Sequence, residues 1–261
     1  MSQLIDKLNQ VSGAISQSMG FRTVKSASAK SKMLLITSLP QTENIDNLAG
    51  YVTGADAVLL HIAKSSSETE NIQKIARSLP DVPWGAWLGD TGKKGTGTLG
   101  EAGGDFIVFP ATSKVLAAPQ DDKTGKILQI DSSLNEGLVK TINKLPVDAI
   151  LTASEPGGEQ PLTWHHLMVF QRLASLLTKP LLASISLKAT ASEIKSLWEA
   201  GVNGVVVEMS AGQPVKRLGE LRQAIDDLAL LPPRQRSKAE ALLPHIGLGA
   251  DTVTEDEEEE E

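Results

Sequence analysis

The chain has 261 residues, of which 41% are hydrophobic and 22% are charged, as in ordinary globular proteins. It contains no cysteine, and this excludes disulfides, thiolate metal sites and a cysteine nucleophile. The net charge of −7 comes from eight acidic residues at the C-terminal end, Asp251 and Glu255–Glu261, without which the chain is nearly neutral. A nearly neutral body argues against a broad surface for binding nucleic acid.

The sequence shows no sign of membrane insertion or secretion. No uninterrupted apolar run approaches the roughly 18 residues that a membrane span needs. The first residues include Asp6 and lack the apolar core of a secretory signal. We therefore expect a cytoplasmic protein without a membrane partner.

The N-terminal segment is predicted to be a helix added to the main domain. Residues 2–19 place apolar side chains at helical spacing, and Gly20 is suited to end the helix. We assign residues 1–24 to this helix. Residues 25–32 read KSASAKSK and are predicted to be a linker.

Eight short apolar runs follow, and helical segments separate most of them. The runs are 33–38, 57–62, 84–89, 106–111, 127–131, 149–154, 181–186 and 204–209. Alternating strands and helices predict a parallel sheet, and eight such strands predict a closed (β/α)8 TIM barrel over residues 33–230. An open doubly wound sheet is the alternative, but no run is followed by G-x-G-x-x-G, so there is no nicotinamide-binding signature.

The helical ring is predicted to be thin on one side. The segments after strands three and four, 89–104 and 112–126, are rich in glycine or interrupted by proline, and leave room only for reduced helices. The N-terminal helix, the C-terminal segment or another subunit would cover this side, so we expect a homo-oligomer through it. Residues 231–247 are predicted to form a C-terminal helix, and residues 248–261 a disordered acidic tail.

The functional site of such a barrel lies at the carboxyl ends of the strands. Strand alternation predicts which polar side chains point inward there. The predicted inward residues are Gln129, Asp131, Thr152, Ser154, Ser184 and Ser186. The residues predicted to bind a substrate are Ser154, Glu155, Ser184, Ser186, Ser210 and Gly212.

Four titratable residues at these ends are candidate catalytic groups. Asp131 is either an inward base or the N-cap of a helix that starts at Ser132 or Ser133. Glu208 follows three valines and is either a buried base or a loop carboxylate in water. Lys188 would form a Schiff base or hold an anion, unless it is a solvated loop lysine. His61 would be an acid, a base or a ligand, unless it is a hydrogen-bonded core histidine.

Metal and phosphate signals are weak in this chain. Asp131, Glu155 and Glu208 with His61 would form an oxygen-rich set suited to Mg²⁺ or Mn²⁺, although their spacing is no metal signature. The segment 89–96 looks like a P-loop, but Lys94 stands where that motif needs glycine. This cationic loop would either close over an anion or serve as a flexible linker.

Two segments resemble a known superfamily. Gly54–Leu60 reads GADAVLL and Glu199–Val207 reads EAGVNGVVV, and both are similar to repeats of the aldolase-type TIM barrels. The resemblance implies a barrel over residues 33–229 and a phosphate-binding turn after each of strands seven and eight. Here residues 186–188 read SLK and residues 208–212 read EMSAG, without the family's glycines, which argues against a standard phosphate or FMN site.

Two functions remain open from the sequence. The first is a lyase, aldolase or isomerase that acts on a small polar metabolite with a carboxyl or carbonyl group. In it, Asp131 or Glu208 would be the base, Lys188 an electrostatic partner, and His61 or Ser186 a hydrogen-bonding group. The second is a barrel that has lost catalysis and acts as a scaffold. Convergence of these side chains on one open pocket would favour the enzyme.

Overall fold

A computed structural model gives the fold of most of the chain. It describes residues 2–13, 32–39, 48–61, 79, 82–89, 103–114, 123–152, 161–209 and 215–228. The predicted reduced helices after strands three and four, the C-terminal helix, the acidic tail and nearly all of the linker lie outside these residues. Among the described residues, no helix is long and apolar enough to cross a bilayer.

Eight parallel strands form a closed barrel in which each strand pairs with its sequence neighbours and the eighth pairs with the first. The strands are β1 Leu34–Leu39, β2 Ala57–His61, β3 Trp84–Trp87, β4 Phe106–Pro110, β5 Gly125–Ile130, β6 Ala149–Thr152, β7 Leu181–Ile185 and β8 Gly204–Glu208. The prediction of a (β/α)8 TIM barrel is confirmed, and the open sheet is excluded.

Six helices are described. They are α1 Gln3–Ser12, α2 Leu48–Val52, α3 Glu136–Ile142, α4 Trp164–Leu176, α5 Ala191–Glu199 and α6 Val215–Asp227. Each helix from α2 to α6 follows a strand of the barrel, and α3 to α5 begin at N-caps whose side-chain oxygen or hydroxyl accepts a backbone N–H. The caps are Asn135, Thr163 and Thr190.

Alternation along the strands divides the apolar residues into two layers. The residues at one set of alternate strand positions, which include Leu35, Val58 and Val205, pack beneath the helices. The residues at the other set, which include Ile36 and Val206, fill the interior of the barrel. Because both faces of each strand are buried, the strands read as continuous apolar runs in the sequence.

The N-terminal helix closes the amino-terminal end of the barrel. Leu4, Ile5 and Leu8 of α1 are buried among the interior residues of the strands. The helix ends at Ser12, where Gly13 adopts a left-handed φ of 68° and its N–H bonds to the carbonyl of Asn9. The sequence predicted an end at Gly20, which lies outside the described residues; α1 ends earlier because Gly13 already terminates it.

An aspartate at the start of β4 anchors this helix. The Asp105 carboxylate accepts hydrogen bonds from Ser2 Oγ at 2.7 Å, Gln3 N at 2.7 Å and Leu4 N at 2.9 Å. These donors surround the first turn of α1, where a carboxylate satisfies free N–H groups and opposes the helix dipole. One carboxylate therefore fixes both the position and the direction of the helix.

An acidic or amide residue directly precedes each even-numbered strand. At the amino-terminal end of the barrel, three of these residues form a hydrogen bond to a neighbouring strand. The side chain in each case accepts a backbone N–H from the preceding odd-numbered strand. The acceptor and donor pairs are Asp56 with Leu35 at 2.9 Å, Asp148 with Lys126 at 2.8 Å and Asn203 with Leu181 at 2.9 Å. The fourth such residue, Asp105, binds α1 instead.

Replacing Asn203 by Ala should lower the free energy of unfolding by about 1–3 kcal/mol, because a buried N–H of Leu181 loses its acceptor. Asn203 is only 4% exposed. Asp148 makes the same kind of bond at an exposed position, so Asp148→Ala is the matched control and should destabilise less. Urea unfolding of both variants measures the difference, and equal losses would contradict this role for burial.

Candidate active site

A polar layer lies directly above the apolar interior at the carboxyl end of the barrel. On five strands, a polar residue lies two positions after an interior apolar residue. Because residues two apart on a strand share one face, these polar side chains also face the interior. These residues are Ser38 on β1, His61 on β2, Gln129 on β5, Ser184 on β7 and Glu208 on β8. Trp87, at the end of β3, packs against the same interior cluster.

Hydrogen bonds and ring stacking join four of these side chains across the mouth of the barrel. Ser38 Oγ lies 2.8 Å from His61 Nε2, and Trp87 Nε1 donates to Gln129 Oε1 at 2.7 Å. The rings of His61 and Trp87 stack with centroids 5.1 Å apart and planes inclined by 25°. The imidazole is thus held on one side by a hydroxyl and on another by an indole that is itself fixed.

His61 is the titratable centre of this layer. Burial lowers its pKa from the ordinary value of 6.5, and the negative charge of Glu208 acts in the opposite direction. The net shift is downward, so the imidazole is mainly neutral at pH 7 and has a ring nitrogen able to accept a proton. Glu208 is exposed at the end of β8.

Replacing Glu208 by Gln should lower the pKa of His61 further, because the substitution removes the charge that favours the imidazolium. Titration of the His61 ring by NMR measures this change. The corresponding control is Glu220→Gln, which removes an exposed carboxylate on α6. A pKa of His61 that stays constant or rises in Glu208→Gln would contradict the electrostatic coupling.

Asp131 is placed in a local turn. Its Oδ1 accepts the N–H of Ser133 at 2.7 Å, and hydrogen bonds from the Ser133 backbone and side chain lower the pKa of Asp131. The sequence allowed Asp131 to cap a helix starting at Ser132 or Ser133. That start is wrong, since α3 begins at Glu136 and Asn135 is its N-cap.

The predicted residues after β7 also lie in a turn. Ser184 lies on β7 two residues after interior Leu182 and therefore faces the same way, as predicted, while Ser186 follows the end of β7. Ser186 Oγ accepts the N–H of Lys188 at 3.2 Å. Lys188 is exposed in this turn, shortly before the N-cap Thr190 of α5.

The prediction that Thr152 points inward is wrong. Leu151 belongs to the interior cluster and Ile150 to the outer one, so Thr152 faces the helices. Its hydroxyl donates to the carbonyl of Leu182 at 3.2 Å. The strand is apolar on both faces, so its sequence holds no signal of which parity is interior. Ser154, predicted inward with Thr152, lies outside the described residues, as do Glu155, Ser210 and Gly212.

Ser38 and Trp87 are the members of the site that the sequence did not single out. Ser38 lies at the same alternate positions of β1 as interior Leu34 and Ile36, so it faces the interior. This alternation is the signal in the sequence that could have identified it. Its contact with His61 depends on the register between β1 and β2.

For the predicted Mg²⁺ or Mn²⁺ set, no group of three or more metal-ligating side chains occurs in the described part of the chain, and Glu155 is not in that part.

Comparison with known proteins bears on the fold. No protein-family model and no curated protein matches the chain. A mutant tryptophan synthase α-subunit from the hyperthermophile Pyrococcus furiosus is similar in structure, with a TM-score of 0.57 and 13% identity over 76% of this chain and 98% of that chain. A second mutant of that subunit gives a TM-score of 0.53 at 14% identity over 76% and 95%. At such identities the likeness shows the fold alone, which is that of a TIM barrel.

Proposed function

We propose that this barrel is a lyase- or isomerase-type enzyme that transfers a proton on a small polar metabolite with a carbonyl or carboxyl group. The observation that supports this most is the placement of His61 at the mouth of the barrel, bonded to Ser38 and electrostatically coupled to Glu208. The reaction would take place at the carboxyl end of the strands, where sites of this fold lie.

His61 is the proposed general base. Its lowered pKa keeps the ring neutral at pH 7, so that it can take a proton from a carbon next to the carbonyl group. The negative charge of Glu208 favours the imidazolium that this step produces. Asp131 is the weaker choice for a base, because the hydrogen bonds from Ser133 lower its pKa.

The neighbours of His61 would position the base rather than react. Ser38 holds Nε2, and Trp87 holds the plane of the ring while Gln129 holds the indole. A base that is fixed before the substrate arrives loses less freedom on reaching the transition state. Ser184, Ser186 and Lys188 remain proposed contacts of the substrate at the rim of the mouth.

A thermal-shift screen with small carbonyl and carboxyl metabolites tests the proposal. A metabolite at 100 times its Kd should add about 2.7 kcal/mol of stability to the wild-type protein. The gain should shrink in His61→Asn and persist in His165→Asn, which makes the same change at an exposed position of α4. If no metabolite stabilises the protein, or if both variants respond as the wild type does, the enzyme proposal fails.

The second proposal is a barrel without catalysis that serves as a scaffold. The exposed tryptophan on α4, Trp164, supports it, since an exposed apolar side chain fits a surface used for assembly. Under this alternative the metabolite screen gives no stabilisation, while the protein still associates with a partner.

A further inference from the structure

One helix of the outer ring has an exposed face without charge. Trp164 and Met168 lie four residues apart on α4 and therefore on the same side, and they are 83% and 69% exposed. Gln171 and Ser175 continue this side of the helix and are also exposed. With His165, these are the exposed residues of α4, whose thirteen residues are all described, and none is Lys, Arg, Asp or Glu.

The other long helices of the ring expose charged groups. On α5, Lys195 and Glu199 form an exposed ion pair, with Nζ and Oε1 3.8 Å apart. On α6, Arg217 and Glu220 form another. Charged side chains keep such faces hydrated, and the outward face of α4 lacks them.

The neighbouring helix adds exposed apolar side chains beside this face. Leu138 on α3 and Leu145 just after it are 51% and 46% exposed. The two helices are fastened at their C-terminal ends, where Asn143 donates from Nδ2 to the carbonyl of Leu176 at 2.9 Å. The exposed ion pair of Glu136 and Lys140 adds charge to α3. An apolar centre with charged groups at its side is the usual arrangement of a protein interface.

We propose that this face, made of the outward sides of α4 and α3, is the contact surface of a homodimer. In a two-fold dimer the same patch meets itself, so an apolar patch is complementary to its own copy, and charges close to the axis would face like charges. The exposed side of α4 carries no Lys, Arg, Asp or Glu, and it is therefore suited to contact a second copy of the chain.

The area of the face is at the lower limit for such a contact. Large aromatic side chains bury about 150–250 Å² each, and Trp164 with Met168 and the two leucines offers roughly 500 Å² on each copy. Two copies would together bury about 1,000 Å², which is the lower limit of a specific interface. Gln171 and Ser175 would add polar contact area around this centre.

The test is the mass of the full-length protein in solution, measured by sedimentation equilibrium over a range of concentrations. The wild-type chain should be a dimer, and Met168→Glu should weaken dimerisation by at least about 100-fold, because two unpaired carboxylates would be buried. Gly219→Glu is the control, since it adds the same charge on α6 where a side chain meets no neighbouring atom. The control should remain dimeric.

Three outcomes would overturn the proposal. The first is a wild-type protein that is monomeric at every concentration. The second is a Met168→Glu variant that stays dimeric with an unchanged melting temperature, which would place the contact elsewhere, for instance beside β3 and β4. The third is dimerisation only after deletion of residues 229–261, which would mean that the chain's own C-terminal segment covers this face.

Discussion

Replacing His61 by Asn is expected to slow proton transfer on the bound metabolite by about 10²–10⁴-fold, the usual contribution of a general base. Asn fills a similar space and retains a group that can bond to Ser38, but it cannot take a proton at neutral pH. Exchange of the reacting C–H hydrogen for deuterium in D₂O, followed by NMR, measures this rate for a metabolite that the thermal-shift screen identifies.

The pH dependence of the same exchange checks the assignment of the base. The rate should fall as the pH drops through the pKa of His61, which lies below the ordinary value of 6.5. In Glu208→Gln the fall should occur at a lower pH, because the pKa of His61 is lower without that carboxylate. His165→Asn should leave both the rate and the profile unchanged. An unchanged rate in a folded His61→Asn variant would rule out His61 as the base.

Replacing Asp105 by Ala is expected to lower the free energy of unfolding by about 2–4 kcal/mol. The substitution leaves Ser2 Oγ and the N–H groups of Gln3 and Leu4 without their carboxylate, and bonds to a charged acceptor are the stronger kind. It also loosens the helix that buries Leu8 in the interior. Urea unfolding gives the loss, and hydrogen exchange at the amides of α1 shows whether the helix has become detached.

Asp105→Asn is the informative companion variant. It keeps one acceptor oxygen and removes the charge, so it should destabilise less than Asp105→Ala. Leu8→Ala should lower stability by about 2–5 kcal/mol through the cavity it leaves, while keeping the anchor at Asp105. Unaltered amide protection of α1 in Asp105→Ala would mean that the apolar contacts alone hold the helix.

The strands of the barrel were predictable because they are short and largely apolar, and because the even-numbered ones open after a turn that ends in Asp or Asn. Those turns have a physical role, since Asp148 and Asn203 bind backbone N–H groups of the preceding strand. The end of α1 was harder to predict. Apolar spacing continues past Gly13 to Met19, and the sequence does not show which glycine adopts the left-handed conformation.

The candidate site was predictable where a strand distinguishes its two faces. Ser184 alternates with apolar residues on β7 and was placed correctly on the same side as interior Leu182. Thr152 was misplaced because both faces of β6 are apolar. The contact between Ser38 and His61 could not be foreseen, since it depends on the register of two strands rather than on either sequence.

The most direct test of the proposed site is an NMR titration of the four histidines with a metabolite that stabilises the protein. If the metabolite binds at His61, the ring resonances of His61 should shift and its pKa should change on binding, while the resonances of His165 and His166 on α4 should not shift. Resonances of His61 that remain unchanged at saturating metabolite would contradict the proposed site, because the ligand would then bind away from the mouth of the barrel.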